Sequence, residues 1–120
     1  MTHPADPASV SSGIAAVDAY LANGFATVPG MSSRFAAAIT AGLMRIQTGL
    51  GVTGPIAEIG TFEGRFFIAL AKALQPGEVA LGMDIFDWPN PAVIDRFEAN
   101  CVKHGVAAGV RETWKCDSRT

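Results

Sequence analysis

The 120-residue sequence has no excess of charge of one sign: nine basic side chains stand against eleven acidic ones, a net charge of −2. With no Lys/Arg stripe to neutralise phosphates, a nucleic-acid partner is not expected. Long hydrophobic runs are missing too. Arg34, Arg45, Glu58 and Arg65 cut the apolar stretches short of the roughly 18 residues that a membrane span needs, so no membrane partner is expected. The start, Met1-Thr2-His3-Pro4-Ala5-Asp6, lacks the basic and apolar segments of a secretory signal. Cysteine is scarce, and Cys101 and Cys116 form neither a CxxC pair nor a disulfide framework. No cluster has metal-ligand spacing, so no metal site is expected. These absences point to a cytoplasmic, reduced, soluble protein. What the chain does have is apolar matter, 49% of its residues, enough for the core of one domain and too much for disorder.

Residues 1–30 read as a lead-in with one short helix, and residues 31–120 as the main domain. Ile14, Val17, Tyr20 and Leu21 lie at helical spacing, closed by Asn23-Gly24. Pro29-Gly30 marks a turn. Ser32 or Ser33 then caps a second helix, in which Phe35, Ile39, Leu43 and Ile46 recur at steps of three or four. From Gly54 the pattern changes. Residues 55–60 form a short apolar run with the look of a buried parallel strand. Phe66, Phe67, Leu70, Ala73 and Leu74 make a helical face that Pro76-Gly77 ends. Val79 to Met83 is a second strand candidate, ending at Asp84. Asn90-Pro91 opens a helix carrying Ile94, Phe97 and Cys101, which stops at Gly105. Val110 to Cys116 is a third strand candidate. The order, two helices and then β-α-β-α-β, predicts an α/β fold with a parallel sheet and right-handed crossovers.

The informative constellation is Glu58-Ile59-Gly60-Thr61-Phe62-Glu63-Gly64, answered by Asp84. A strand feeding a glycine turn into a helix lets backbone N–H groups approach a ligand closely, because no Cβ stands in the way. An acid at the end of the next strand can accept both hydroxyls of a ribose. The pattern therefore reads as a nucleoside-cofactor site. Dinucleotide folds want G-x-G-x-x-G, and Phe62 sits where the second glycine would clear room for a pyrophosphate, which argues against a nicotinamide oxidoreductase. The Gly-Lys-Ser/Thr of a phosphate-binding loop is missing as well. A nucleoside with a small polar tail remains, and S-adenosylmethionine is the obvious one, with Glu58 facing its cationic amino-acid end.

Ala57-Glu58-Ile59-Gly60-Thr61-Phe62-Glu63-Gly64-Arg65 resembles motif I of class I SAM-dependent methyltransferases, closest to the catechol and macrolide-sugar O-methyltransferase branch. Leu74 to Asp84 resembles the "L-x-P-G" connection of that family, and Phe97-Glu98-Ala99-Asn100 to Gly105 the helix that follows. The resemblance runs from about residue 31 to the end. It implies a Rossmann-like sheet of strand order 3-2-1, preceded by helices, and S-adenosyl-L-methionine as cofactor. By the same resemblance Gly60 and Gly64 line the methionine end, Glu58 holds its ammonium group, and Thr61, Phe62 and Glu63 form the turn. Asp84 takes the ribose hydroxyls, Ile85 packs on the adenine, and Asp117-Ser118 lie near the adenine edge. The family places its general base, its acceptor contacts and any Mg²⁺ ligands on the fourth strand and after. No catalytic residue is therefore assigned here, and the sequence reads as a cofactor-binding part, a fragment or a truncation. By the resemblance, the full-length relative would O-methylate a small molecule, and little or no methyl transfer is expected of this part alone. The open edge of the first strand would admit a second copy. The alternative is a non-catalytic module of the same fold that binds a nucleoside or a partner chain.

Other residues carry plainer expectations. Asp87 and Trp88 either wall the cofactor pocket or belong to a surface loop. Arg65 is expected to be a solvated charge, and Phe66 and Phe67 to be core. His104 is expected to favour a helix C-terminus as a cation. Cys101 and Cys116 are expected to be buried thiols.

Overall fold

The strand candidates become strands, although β3 carries three charged residues of its five, and the longer periodic segments become helices. The computed structural model describes residues 10–117 and 119. The helices are α1 (Ala15–Asn23), α2 (Arg34–Gly49), α3 (Arg65–Ala71) and α4 (Val93–Lys103); the strands are β1 (Ile56–Ile59), β2 (Ala80–Asp84) and β3 (Arg111–Lys115). The strands pair in parallel in the order β1-β2-β3, which read from the far edge is the expected 3-2-1. In this register Ile56 and Ala80 lie beside Arg111, and Ile59 and Met83 beside Trp114.

A one-directional strand order joined by crossovers of one hand leaves the connecting helices on the same side. The contacts agree. A Cβ at Gly82 would meet Phe67 of α3 at 3.3 Å, and Arg111, on the same face, bonds Glu98 of α4 at 2.8 Å. The core fills this side, with Phe67 and Phe97 edge to face at 5.1 Å and Phe86 5.7 Å from Phe97. The opposite face is bare. Ile59 is 67% and Trp114 54% exposed there, an unusual state for a parallel sheet, which normally has both faces covered.

The residues read as a lead-in share that core. Val17, Tyr20 and Leu21 of α1 pack with Phe25 and Val28 against α3. Arg65 is not the solvated charge expected of it. Its guanidinium donates to the carbonyls of Gly30 at 2.7 Å and Phe25 at 3.2 Å and lies 4.3 Å from the Phe25 ring. A cation at the start of α3 is poorly placed for the helix dipole but well placed to satisfy the carbonyls of the 25–30 turn.

α2 is capped as expected, with the Ser33 hydroxyl accepting from the Ala36 N–H at 3.0 Å. Its inward face is a different matter. Ala37, Ala38 and Ala41 are buried, while Phe35, Ile39, Leu43 and Ile46 are exposed. Alanine lets the helix axis approach α1 and α3 closely, and the space beneath is already filled by Phe25, Phe67 and Ile68. α4 opens later than expected, at Val93, with Asn90 Oδ1 accepting from the Ala92 N–H at 2.9 Å in the preceding turn.

Candidate nucleoside-cofactor site

The carboxyl ends of the three strands come together at Gly60, Asp84 and Cys116. The Gly60 N–H donates to the Met83 carbonyl at 2.8 Å and the Cys116 N–H to the Asp84 carbonyl at 2.9 Å, so pairing continues just past the strands. The chain then turns sharply through residues 60–64 into α3. Gly60 has φ +85°, and a Cβ built on it would meet nothing within 4 Å. The space above it is open, as close approach by a ligand requires.

Gly64 serves a different end. With φ +97° it heads α3, and a Cβ there would stand 3.0 Å from Phe97 Cδ1. It lines neither of the two cavities at this end of the sheet. Its lack of a Cβ lets α3 pack against α4. Glu63 and Thr61 are buried within the turn. Glu63 pairs with Arg96 at 3.4 Å, its backbone carbonyl accepts from Asn100 Nδ2 at 3.0 Å, and the Thr61 hydroxyl donates to the Glu58 carbonyl at 3.2 Å.

Asp84 points at the turn. One carboxylate oxygen accepts from the Phe62 N–H and the other from the Phe86 N–H, both at 2.8 Å. Phe62 and Phe86 are the non-glycine residues with positive φ among the described residues, at 52° and 51°. The backbone energy stored in those two conformations is offset by one carboxylate that bridges them. Each oxygen keeps a further lone pair for a ligand hydroxyl.

Glu58 occupies the tip of β1, where burial pushes its carboxyl up to about 7, against the opposing pull of the Thr61 hydroxyl and with the nearby Asp84 charge adding to the rise. Its Oε1 is buried without a hydrogen-bond partner. An orphaned buried carboxylate oxygen is costly, and a cation supplied from outside would relieve it.

Two cavities meet at Gly60. One, of about 320 Å³, is lined by Ile59, Gly60, Met83, Asp84, Ile85, Cys116 and Asp117. The other, of about 500 Å³, combines Glu58, Gly60, Thr61 and Phe62 with Phe66, Arg65, Trp88 and the segment Pro29–Ser32. Of the two readings of the 87–88 loop, Trp88 does wall this cavity, with its ring 5.8 Å from that of Phe62, whereas Asp87 lines neither. Phe67 is core as expected, but Phe66 is only half-buried and faces the cavity. A larger cavity of about 700 Å³ lies at the amino ends of the strands, where Glu78 accepts from the N–H groups of Gly54 and Gln75. It gathers no comparable set of unsatisfied polar groups.

Asp117 lies at the cavity rim, its carboxyl held below the usual range by the Arg119 guanidinium. Ser118, expected beside it, lies outside the described residues. Cys101 is buried, and its thiol is pushed up to about 12 by desolvation. Cys116, expected to be buried, is half-exposed at the cavity, a position that the spacing of the sequence did not indicate. The segment Pro29–Ser32 was missed as well, because nothing in a Pro-Gly turn says which cavity it borders. His104 corrects another expectation. Desolvation, with the Lys103 and Lys72 charges, lowers its pKa, and its ring sits 5.2 Å from Tyr20, so it contributes no cation to the end of α4.

Among the described residues there is no group of three or more side chains able to hold a metal, and no helix long and apolar enough to cross a membrane. Compared with known proteins, the chain matches no family model, no curated protein and no solved structure.

Proposed function

We propose that these residues form the cofactor-binding part of a cytoplasmic SAM-dependent methyltransferase, Rossmann-like in fold, whose methyl acceptor is a small molecule. The observation that carries this reading is the pair of cavities joined at Gly60. One side offers carboxylates and apolar walls, and the other a half-buried carboxyl with one orphaned oxygen, among aromatic rings. A ligand with a nucleoside at one end and a cationic tail at the other has that division of chemistry. NAD, with two anionic phosphates in the middle, does not.

The residues fit S-adenosylmethionine in specific ways. Gly60 leaves the approach clear, and the orphaned Glu58 oxygen gains a partner in the ammonium group. The remaining lone pairs of Asp84 suit the ribose hydroxyls, Ile85 offers an apolar surface for the adenine, and Asp117 stands at its edge. When bound, the cofactor supplies a methyl group made electrophilic by its sulfonium. The protein's own part is alignment and exclusion of water, and Phe62, Phe66 and Trp88 provide the apolar wall for it. Because a cation favours the ionised carboxyl, Glu58 releases a proton as the cationic tail binds near pH 7.

A second reading is favoured by one observation: both Asp84 oxygens already hold the backbone. A non-catalytic module that keeps the fold without the ligand would need that much and no more. Calorimetry with S-adenosylhomocysteine and with NAD separates the two. Heat with S-adenosylhomocysteine alone is expected, and Asp84→Ala should weaken it by about 1–3 kcal/mol. Absence of heat from both compounds, with the protein folded by circular dichroism, would leave the module as the better account.

A further inference from the structure

α2 presents apolar faces in two opposed directions. Ala37, Ala38 and Ala41 are buried towards α1 and α3. On the far side Ile39 is 46%, Leu43 56%, Ile46 55% and Leu50, at the C-cap, 76% exposed. At 100° per residue these four fall within a sector of about 60°, a straight strip about 16 Å long. Ala36, Thr40 and Gln47 flank it on one side and Gly42 and Gly49 on the other, so no charge borders it. The two charges of the helix project from the other side: Arg34 Nε donates to the Leu21 carbonyl at 3.0 Å, and the Arg45 side chain lies over Gly13.

We propose that this strip pairs with the same strip of a second copy, the two α2 helices running antiparallel about a twofold axis. Leu43 then packs on Ile46 of the partner subunit, and Ile39 on Leu50 of the partner subunit. A neutral, self-complementary face meets its own copy without like-charge repulsion, and antiparallel helices oppose their dipoles. The area is sufficient. The strip and its flanks expose on the order of 600–700 Å², within the roughly 600–1,000 Å² that each partner of a stable complex buries. Residues 1–9 of the same chain are a poor occupant, since Met1 is their only large apolar side chain and two of them are proline. The bare sheet face is a weaker candidate for self-association. Glu112 lies in register with Leu81 on it, and Ile59 and Met83 already line the cavity beside Asp84.

Sedimentation equilibrium of the full chain from 5 to 200 μM tests the proposal, with a dimer of the 12.5 kDa chain expected. The double variant Leu43→Glu/Ile46→Glu should weaken dimerisation by roughly 100-fold or more, because both are central anchors, while the circular dichroism stays unchanged. Leu43→Cys in a Cys116→Ser background should be captured as a covalent dimer by a short bismaleimide, and Val102→Cys on α4 should not. A chain that is monomeric throughout overturns the proposal and leaves the strip to another partner. A dimer that persists in the double variant, or that cross-links equally through Val102→Cys, overturns it as well and moves the interface to the sheet face or to α4.

Discussion

α2 and α4 are helices of similar pattern that make opposite choices. Both carry bulky apolar residues at steps of three or four. α4 turns Val93, Phe97 and Cys101 into the core, where Phe97 touches Phe67, Phe86 and the start of α3. α2 turns its alanines in and leaves the bulky stripe outside. Periodicity reports that an apolar face exists. It does not report what the face meets, because that depends on how much room the neighbouring elements leave.

The contrast can be broken most directly by truncating both stripes. Phe97→Ala should cost about 3–5 kcal/mol in urea unfolding, since it empties a site enclosed by two further rings and Gly64. Leu43→Ala, extrapolated to low protein concentration, should change stability by no more than about 0.5 kcal/mol. Equal losses would mean that α2 lies on the core by its other face.

Glu58 sharpens the comparison from the side of the site. Its carboxyl is raised by folding from an ordinary 4.5 to about 7, so the folded chain holds a proton that the unfolded chain releases. Stability should therefore be fullest below pH 4.5, fall as the pH rises to about 7, and be flat beyond. Glu58→Gln should remove this slope and stabilise the protein at pH 8 by on the order of 2–3 kcal/mol, while weakening any cationic ligand. Urea midpoints of both proteins at pH 5 and pH 8 check the sign. A slope that survives in Glu58→Gln would assign it to another group.

The smallest effect separates the two glycines of the turn. Gly60→Ala and Gly64→Ala each bear the left-handed conformational cost of about 1–2 kcal/mol. Gly64→Ala should lose more than that in thermal unfolding, because its Cβ presses on Phe97, whereas Gly60→Ala has open space above it. Equal melting temperatures for the two variants would contradict the division of one glycine for packing and one for approach.

Much of the fold was legible because its signals are local. The runs at 55–60, 79–84 and 110–116 became strands in the expected order, and Asn23-Gly24 ended α1 where expected, whereas α3 stops at Ala71, short of the Ala73, Leu74 and Pro76-Gly77 expected to close it. The turn and its carboxylate were legible for the same reason: a glycine just past one strand and an acid at the tip of the next are written into the spacing. What Asp84 does there was not. That it bridges two left-handed phenylalanines depends on the angle at which β2 meets the turn, and no pair of letters encodes that angle. Arg65 and His104 were misread alike, because solvation of a side chain is decided by what packs over it.

Sequence by itself determined the elements, their order and the residue types gathered at the carboxyl ends of the strands, since each follows from propensity, periodicity and the geometry of parallel crossovers. Tertiary structure alone decided that Gly64 packs while Gly60 stays open, that half-buried Glu58 has one oxygen buried and unsatisfied, and that α2 keeps its large residues in water. Those outcomes depend on the finite volume beneath the helices, which is shared by the whole chain and belongs to no single segment of it.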